Sequence, residues 1–154
     1  MKTLVIGAAI IDIIMKIKRL PKSGEDILCS ETVSTVGGCA YNVAGTLRGF
    51  GVDHDLFVPV GRGMYGDMIA GDLEKLGYQI LIREEESDNG YCLCLVEEDG
   101  ERTFITVKGA EGRFRPSWFE QLSQYAYDSI YVAGYQVCGT SGGVISDWMA
   151  GAKD

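Results

Sequence analysis

Two adjacent glycines followed by an asparagine could form a binding site for a polar ligand. Gly37 and Gly38 precede a predicted helix from Ala40 to about Phe50, which ends at Gly51. Glycines at this point let the backbone approach a ligand closely, and the first turn of a helix has free N–H donors. Asn42 lies one turn into the helix, where its amide offers both a donor and an acceptor to hydroxyl groups. The alternative is a tight strand-to-helix turn in which the asparagine caps the helix.

An aspartate in the first apolar run is the second candidate. Asp12 follows a predicted buried strand that runs from Lys2 to Gly7. A carboxylate on the rim of a sheet can accept hydrogen bonds from two hydroxyl groups. A turn-forming aspartate is the alternative, but apolar neighbours make burial without a partner unfavourable. These residues together predict a site for a molecule rich in hydroxyl groups.

The elements that must position these residues alternate between strands and helices. Apolar runs that end at glycine or precede a turn predict buried strands at about 2–7, 55–60, 78–82 and 129–133, with helices at about 40–50, 67–76, 116–124 and 140–149. Such alternation is typical of an α/β protein with a doubly wound, mainly parallel sheet. Ligands of such folds bind at the carboxyl ends of the strands.

Two insertions have a different pattern, with short alternating pieces typical of antiparallel strands. They occupy about residues 13–36 and 90–108, and the second contains an Asp99-Gly100 turn between two β-rich runs. Because the insertions are similar in character, we expect one shared small sheet beside the main domain. At the carboxyl ends of the strands such a sheet would be a lid that excludes water from the site.

Composition narrows the class of protein. The 154 residues include 14 Lys or Arg and 22 Asp or Glu, a net charge of −8, which argues against a nucleic-acid partner. The apolar run at the N-terminus is interrupted by Asp12 and is too short to cross a membrane, so we expect no membrane partner. Five cysteines without a C-x-x-C pair, and the single His54, predict free thiols in a cytoplasmic protein and no metal site.

The segment 37–51, GGCAYNVAGTLRGFG, resembles the N-terminal signature of the ribokinase-like (PfkB) carbohydrate kinases, G-G-x-x-x-N-x-A-x-x-x-x-x-x-G. The resemblance also covers Gly7 to Asp12, residues 61–67 (GRGMYGD, with one aspartate of the family pattern replaced) and the hairpin exit at 108–111. These matches occur in the expected order over most of the chain. A coincidence of this kind is more specific than any single motif.

The resemblance implies a sugar or a nucleoside as the small-molecule substrate. It assigns hydroxyl binding to Asp12, Gly37, Gly38 and Asn42. Ile10 and Cys39 replace the asparagine and lysine of ribokinases, which makes ribose itself less expected than another sugar or a nucleoside.

The second insertion supplies three further candidates. We expect Arg102 to contact the substrate from the hairpin; the alternative is an exposed partner for Glu98 or Glu101. The resemblance makes Gly109 and Ala110 the hinge of the lid. Glu111 stands where the family often has an asparagine, so the resemblance does not identify which molecule accepts the phosphoryl group.

The resemblance also implies ATP and Mg²⁺ as cofactors, but their motifs do not occur in this sequence. The catalytic aspartate of the family belongs to a D-T-x-G-A-G-D motif, and an N-x-x-E motif serves magnesium. Ala70-Gly71-Asp72 matches part of the first motif, but we do not assign it that role because it lies inside the helix predicted at 67–76. We therefore expect the catalytic aspartate to lie beyond Asp154. On this interpretation residues 1–154 are the N-terminal, acceptor-binding portion of a kinase, without a catalytic residue and inactive alone.

Two other functions stay open. One is a non-catalytic sugar-binding or dimerisation module, because lid sheets of this family can form homodimers through their exposed edges. The other is a nucleotide-binding Rossmann domain, since residues 61–66 (GRGMYG) fit G-x-G-x-x-G and precede a helix. That motif follows the second main strand rather than the first, and no suitably placed acidic residue follows it.

Overall fold

The computed structural model describes residues 1–151 as a mixed α/β fold. Within this range there are nine strands and five α-helices, and short 3₁₀ turns at Ala110–Gly112 and Gln124–Ala126. The strands are β1 Lys2–Ile6, β2 Ile10–Ile17, β3 Cys29–Gly37, β4 Asp53–Phe57, β5 Pro59–Val60, β6 Ile82–Arg83, β7 Tyr91–Val96, β8 Arg102–Val107 and β9 Ser129–Val132. The helices are α1 Cys39–Gly49, α2 Met64–Lys75, α3 Pro116–Phe119, α4 Gly134–Val137 and α5 Gly142–Ala150.

Asp154, beyond which we expect the catalytic aspartate, lies outside the described residues. The structure therefore does not test that expectation, and it stays a prediction. The same holds for the interpretation of residues 1–154 as one portion of a kinase domain.

A three-stranded parallel sheet in the order β4-β1-β9 forms the centre of the molecule. Successive side chains of a strand point to opposite faces, so β1 serves two cores. Val5 packs in one core with apolar residues of α1 and α2, whereas Leu4 and Ile6 pack in a second core with Phe114, Phe119 and residues of α5. Burial on both faces explains why the second half of β1, residues 4–6, is apolar at every position.

A second sheet, the lid sheet, has four strands in the order β3-β2-β7-β8. It joins the two insertions, whose strands run over 10–37 and 91–107. The pairs β2–β3 and β7–β8 are antiparallel, but the central pair β2–β7 is parallel. We expected an antiparallel set throughout; the central pair is parallel because both insertions leave the main domain in the same direction.

The fold class predicted from the sequence, α/β with a mainly parallel sheet and a small antiparallel sheet, is confirmed. Several boundaries differ. The strand predicted at 78–82 is reduced to β6, and the helix predicted at 116–124 ends at Phe119. The acidic segment before β7 buries the side chains of Glu84 and Asn89.

Helix α2 begins three residues earlier than predicted. Gly63 is its N-cap residue, and the side chain of Asp88 supplies a carboxylate that accepts from N–H groups of its first turn. Among residues 1–151 there is no helix with the length and apolarity needed to cross a membrane.

Candidate functional site

A cleft of about 590 Å³ lies between the lid sheet and the amino end of α1. The cleft is at the carboxyl end of β1 and next to the start of α1. Ligands of parallel sheets bind at this end of the strands. Residues from both layers line it: Ala8, Ile10, Asp12, Gly38, Cys39, Asn42, Cys92, Phe104, Thr106, Lys108, Glu111, Gly112, Tyr135, Gln136, Gly139 and Ser141.

Strand register explains the wall that the lid sheet contributes. Asp12 is opposite Cys92 on β7, and Cys92 is opposite Thr106 on β8. Residues directly opposite one another on neighbouring strands have side chains on the same face. The three side chains therefore form a row across the sheet, with a carboxylate, a thiol and a hydroxyl facing the cleft.

Helix α1 forms the facing wall with its first turn. Gly38 is the N-cap residue, with a φ of 102°, and a Cβ there would lie 2.5 Å from the carbonyl oxygen of Ala8. Only glycine adopts this conformation readily, so the residue is required by both conformation and space. No side chain caps the helix, which leaves N–H donors of the first turn unpaired by the protein.

Asn42 is exposed and lines the cleft one turn into α1. Its backbone N–H donates to the carbonyl of Gly38 at 3.0 Å, whereas its side chain makes no capping bond. The capping alternative considered for this residue is therefore wrong. The amide is available to a molecule in the cleft.

Gly37 and Asp12 pack against each other. Gly37 is buried, and a Cβ on it would collide with the carboxylate of Asp12, so the missing side chain makes room for that group. Partial burial raises the pKa of Asp12, because desolvation disfavours the charged form. A ligand hydroxyl that donates to the carboxylate would offset this penalty.

The side chain of Asn89 joins the main domain to the lid. Asn89 is 3% exposed, and its amide donates to the carbonyls of Ala9 at 3.2 Å and Pro59 at 3.0 Å. The amide oxygen accepts from the N–H of Gly61 at 2.7 Å. One side chain thus fixes the β1–β2 link, β5 and the segment after it against the start of β7.

Glu111 completes this hinge and lies on the floor of the cleft. Its carboxylate is buried and accepts from the N–H groups of Gly90 and Gly109, both at 2.8 Å. These glycines are the points where the chain enters and leaves the lid hairpin. They touch closely enough that a Cβ on Gly109 would collide with backbone of residues 88–90, and Ala110 donates its N–H to the carbonyl of Asp88 at 2.9 Å.

Arg102 lies apart from the other predicted site residues. It is exposed at the turn end of β8, opposite Val96, and is not among the residues that line the cleft. Its backbone is four positions from that of Thr106, a distance of about 13 Å along a strand. Phe104 and Thr106 supply the cleft wall from β8 instead.

Asp88 occupies the amino end of α2, where residues 61–66 suggested a phosphate loop. Its carboxylate accepts from the N–H groups of Tyr65 at 3.1 Å and Gly66 at 2.6 Å. A carboxylate at a helix N-terminus takes the place that an anion would need. This contact argues against the Rossmann interpretation of the glycines.

A second depression, of about 610 Å³, lies along one face of α1, and Asn42 lines it as well. It is lined by Tyr41 and by Tyr78 among others, and the hydroxyl of Tyr41 donates to Asp72 of α2 at 2.5 Å. Burial and this bond raise the pKa of Tyr41 to about 12. Asp72, the aspartate of the partial motif match at residues 70–72, is thus hydrogen-bonded between α1 and α2 and does not line the cleft.

The donor set of the cleft does not fit a magnesium–nucleotide site. Over residues 1–151 there is no group of three His, Cys, Asp or Glu side chains that could hold a metal ion. The buried carboxylate of Glu111 is occupied by backbone N–H groups. Asp12 alone is too few ligands for a metal that prefers six oxygens.

Comparison with known proteins identifies the family. The family model "pfkB family carbohydrate kinase" matches residues 1–149. The chain belongs to the PfkB family. It is 37% identical, over 98% of its length, to the uncharacterised sugar kinase YegV of Escherichia coli (strain K12), of which it covers 47%.

Solved structures of two ribokinases share the fold. Ribokinase from Giardia lamblia superposes with a TM-score of 0.86 at 23% identity, over 99% of this chain and 50% of that one. Ribokinase from Cryptococcus neoformans, crystallised with ADP, gives a TM-score of 0.75 at 19% identity, over 99% and 46%. The chain therefore spans about half the length of the relatives it matches.

Proposed function

We propose that this chain is the acceptor-binding half of an ATP-dependent carbohydrate kinase, which transfers the γ-phosphoryl group of ATP to a hydroxyl of a sugar or nucleoside. Membership of the PfkB family supports the reaction class. The observation that carries the proposal is the convergence of Asp12, Gly38 and Asn42 on one cleft, although 26 residues separate the first two in sequence.

Each of these residues has a distinct task in holding the acceptor. The carboxylate of Asp12 accepts hydrogen bonds from hydroxyl groups, and the amide of Asn42 both donates and accepts. Gly38 begins α1 without a side-chain cap, so that backbone N–H groups of the first turn are free to donate to an acceptor molecule. Fixing an acceptor hydroxyl in this way lowers the barrier to transfer by orientation rather than by covalent chemistry.

The lid sheet would exclude water from the bound acceptor. Asp12, Cys92 and Thr106 lie on its inner face, while Asn89 and Glu111 tie its base to the main domain. Exclusion of water suppresses hydrolysis of the phosphoryl donor and strengthens the hydrogen bonds to the acceptor.

The nucleotide, the magnesium ion and the catalytic base belong to the part of the proposed kinase that this chain does not supply. No D-T-x-G-A-G-D or N-x-x-E motif occurs in the 154 residues. The proposal therefore assigns the catalytic aspartate to sequence beyond Asp154. We expect residues 1–154 to bind an acceptor without phosphorylating it.

Calorimetry and a kinase assay test the proposal together. The 154-residue chain is titrated with D-ribose, D-fructose, adenosine and D-gluconate, and each mixture is then incubated with MgATP. Binding of at least one neutral compound, its loss in Asp12→Asn and no ADP release support the proposal. Absence of binding to every compound would overturn it, and acceptor phosphorylation would refute the expected inactivity.

A second candidate function is a non-catalytic sugar-binding or dimerisation module. The observation that favours it is the open edge of the lid sheet: Phe104, Ile105 and Val107 of the edge strand β8 are exposed. Unpaired edges with apolar side chains favour pairing with another chain. Sedimentation over a range of concentrations, with and without the sugar that binds, separates the module from a monomeric half-kinase.

A further inference from the structure

An exposed cysteine lines the cleft at the start of α1. Cys39 is the first residue of that helix, and its side chain is exposed. Within residues 1–151 its thiol makes no hydrogen bond. The preceding Gly38 is an N-cap residue without a side-chain cap, and the first turn contains no acidic residue. A small molecule that enters the cleft therefore meets a free thiol beside unpaired backbone N–H groups.

The other four cysteines differ from Cys39 in exposure or in position. Cys92 and Cys94 of β7 are buried, with 6% and 8% of their surface exposed, and burial raises the pKa of the Cys94 thiol. Cys29 is half-buried, and its thiol donates to a backbone carbonyl at 2.9 Å. Cys138 is exposed but does not line the cleft. Of the five cysteines, Cys39 alone is both exposed and part of the cleft.

The two exposed cysteines lie at opposite ends of their helices. A thiol reacts as its thiolate anion, so groups that favour negative charge increase the reactive fraction. Cys39 is beside the N–H groups that begin α1, the end of a helix that favours an anion. Cys138 follows the carboxyl end of α4, where carbonyl oxygens disfavour an anion. Cys39 is therefore the better placed of the two to react.

An unpartnered side chain indicates that the same cleft is suited to a polar molecule. Gln136 is 7% exposed and lines the cleft, and over residues 1–151 its Oε1 is the one buried side-chain oxygen or nitrogen without a hydrogen-bond partner. Buried polar atoms nearly always have a partner, so a donor in the cleft would complete this oxygen. A Cβ on Gly7 would lie 3.5 Å from the oxygen and 2.7 Å from the Cβ of Ala40. A molecule that reaches Oε1 therefore also comes close to the start of α1.

We propose that Cys39 is a modification site, at which a small, neutral, hydroxyl-bearing disulfide forms a mixed disulfide and thereby closes the cleft to the acceptor. The loss of acceptor binding rests on the proposed function of the cleft, whereas the modification itself does not. The thiolate of Cys39 attacks one sulfur of the reagent, whose S–S bond breaks as the new S–S bond forms. The displaced half leaves as a thiolate and takes up the proton that Cys39 released, so no further oxidant is needed.

The groups that line the cleft favour a neutral reagent with hydroxyl groups. The carboxylate of Asp12 can accept from a hydroxyl, and Lys108 is the one basic residue among the described residues of the lining. An anionic disulfide would meet Asp12 in a partly desolvated site, where like charges are unfavourable. Bis(2-hydroxyethyl) disulfide is small and neutral and has a hydroxyl group at each end, so it is the probe for the test.

Mass spectrometry after timed treatment with this disulfide locates the modified cysteine. The adduct should form on Cys39 at least about threefold faster than on Cys138, because the two helix ends have opposite effects on the thiolate. Cys39→Ser should remove the fast adduct, and the matched control Cys138→Ser should keep it. Both variants should keep the thermal midpoint of the natural chain, since both side chains are exposed. Equal rates at the two cysteines, or faster reaction at any other cysteine, would overturn the proposal.

Protection and loss of binding test whether the adduct closes the cleft. The compound that binds best among D-ribose, D-fructose and adenosine, at about ten times its dissociation constant, should slow modification of Cys39 about tenfold and leave Cys138 unaffected. After modification its dissociation constant should rise at least about tenfold, and dithiothreitol should restore it. Cys39→Ser should bind equally before and after treatment. Unchanged binding by the modified natural chain would overturn the proposal.

The outcomes distinguish this inference from the proposed function. If the natural chain binds none of the compounds, the proposed function is overturned, while the relative rates at Cys39 and Cys138 still decide whether the modification site exists. If a compound binds and Asp12→Asn abolishes that binding, but Cys39 reacts no faster than Cys138, the proposed function stands and the modification site is refuted.

Discussion

Asp12 has opposite consequences for binding and for stability. Its pKa is raised by burial, so the folded state holds the ionised carboxylate less favourably than the unfolded chain does. We expect Asp12→Asn to raise the free energy of unfolding at pH 7. The same variant should weaken acceptor binding by about 10- to 100-fold, the usual loss of a charge-assisted hydrogen bond. Urea denaturation and calorimetry measure the two effects.

The pH dependence provides a check on this expectation. A carboxyl whose folded pKa is raised contributes stability at pH values below its ordinary value, and this contribution is lost as the pH rises through the folded pKa. The stability gained by Asp12→Asn should therefore shrink as the pH falls toward about 4. Asp26→Asn, at an exposed aspartate, is the control. A gain that is constant from about pH 7 to about pH 4 would contradict the explanation.

Two glycines of the same helix region should respond in opposite ways to alanine. Gly38 has a φ of 102°, and a Cβ there meets the carbonyl of Ala8, so Gly38→Ala should cost about 1–3 kcal/mol of stability. Gly45 lies in the middle of α1 with open space around it, so Gly45→Ala should add about 0.5–1 kcal/mol. Guanidinium denaturation compares them. Equal effects would show that conformation at Gly38 is unimportant.

The residues of the cleft wall that can be predicted from the sequence are those marked by their local context. Gly38 and Asn42 are recognisable because a glycine pair directly precedes a helix. Asp88 and Asn89 escaped notice because their partners are distant along the chain: Asn89 bonds to Ala9, 80 residues away. Arg102 shows the same limit, since only the pairing of β7 with β8 places it at the turn end of the hairpin, opposite Val96.

At the level of elements, Asn89 joins the base of the lid sheet to the main domain through three hydrogen bonds. Asn89→Ala leaves the N–H of Gly61 and the carbonyls of Ala9 and Pro59 without their partner. Buried backbone groups without partners should make this variant about 2–4 kcal/mol less stable. Chemical denaturation measures the loss.

Asn42→Ala is the matched control for that substitution. Asn42 is exposed and makes no capping bond, so its removal should leave stability nearly unchanged while weakening acceptor binding. If both asparagine variants lost stability equally, the distinction between a structural role for Asn89 and a binding role for Asn42 would be wrong.

A carboxylate at the opposite end of the parallel sheet connects three segments. Asp55 of β4 accepts from Lys2 Nζ of β1 at 2.9 Å and from the hydroxyl of Tyr127, before β9, at 2.7 Å. Burial favours its neutral form, but the hydrogen bonds from Lys2 and Tyr127 outweigh burial and lower the pKa. The stability that Asp55 contributes is therefore complete above its ordinary pKa and is lost as the pH falls through the lowered one.

Asp55→Asn should remove about 1 kcal/mol at pH 7, because the pair is partly exposed and solvent weakens it. The difference from the natural chain should decline below about pH 4. Urea denaturation across that pH range measures it. A difference that grows in acid would have the wrong sign for a lowered pKa.

The type of an element could be predicted where the apolar pattern extends over many residues, but the first and last residues of the elements could not. Strand β1 and helix α1 occur where the apolar pattern places them. The helix predicted from Pro116 ends at Phe119 because packing of Phe119 against Phe57, with ring centroids 5.0 Å apart, fixes the chain there. The start of α2 depends on Asp88, which lies outside its own segment.

For the whole molecule, the open edge of the lid sheet predicts self-association. Strand β8 exposes 51% of Ile105, and on its outer side the described residues place no further strand. Ile105→Lys puts a charge on this edge, so the mass measured by sedimentation should shift toward the 16.8 kDa of one chain. Val137→Lys, at an exposed site on α4, is the control. Equal shifts in both variants would mean that the association is nonspecific and does not depend on the edge of the lid sheet.

The hydrogen bond from the N–H of Gly61 to Asn89 makes a natural spectroscopic reporter. That amide is buried outside the cleft, but its acceptor side chain also holds the base of the lid through Ala9. Any rotation of the lid sheet must stretch or shorten this bond. The proton resonance of a single glycine can therefore follow lid position during a titration, with no label placed in the cleft itself.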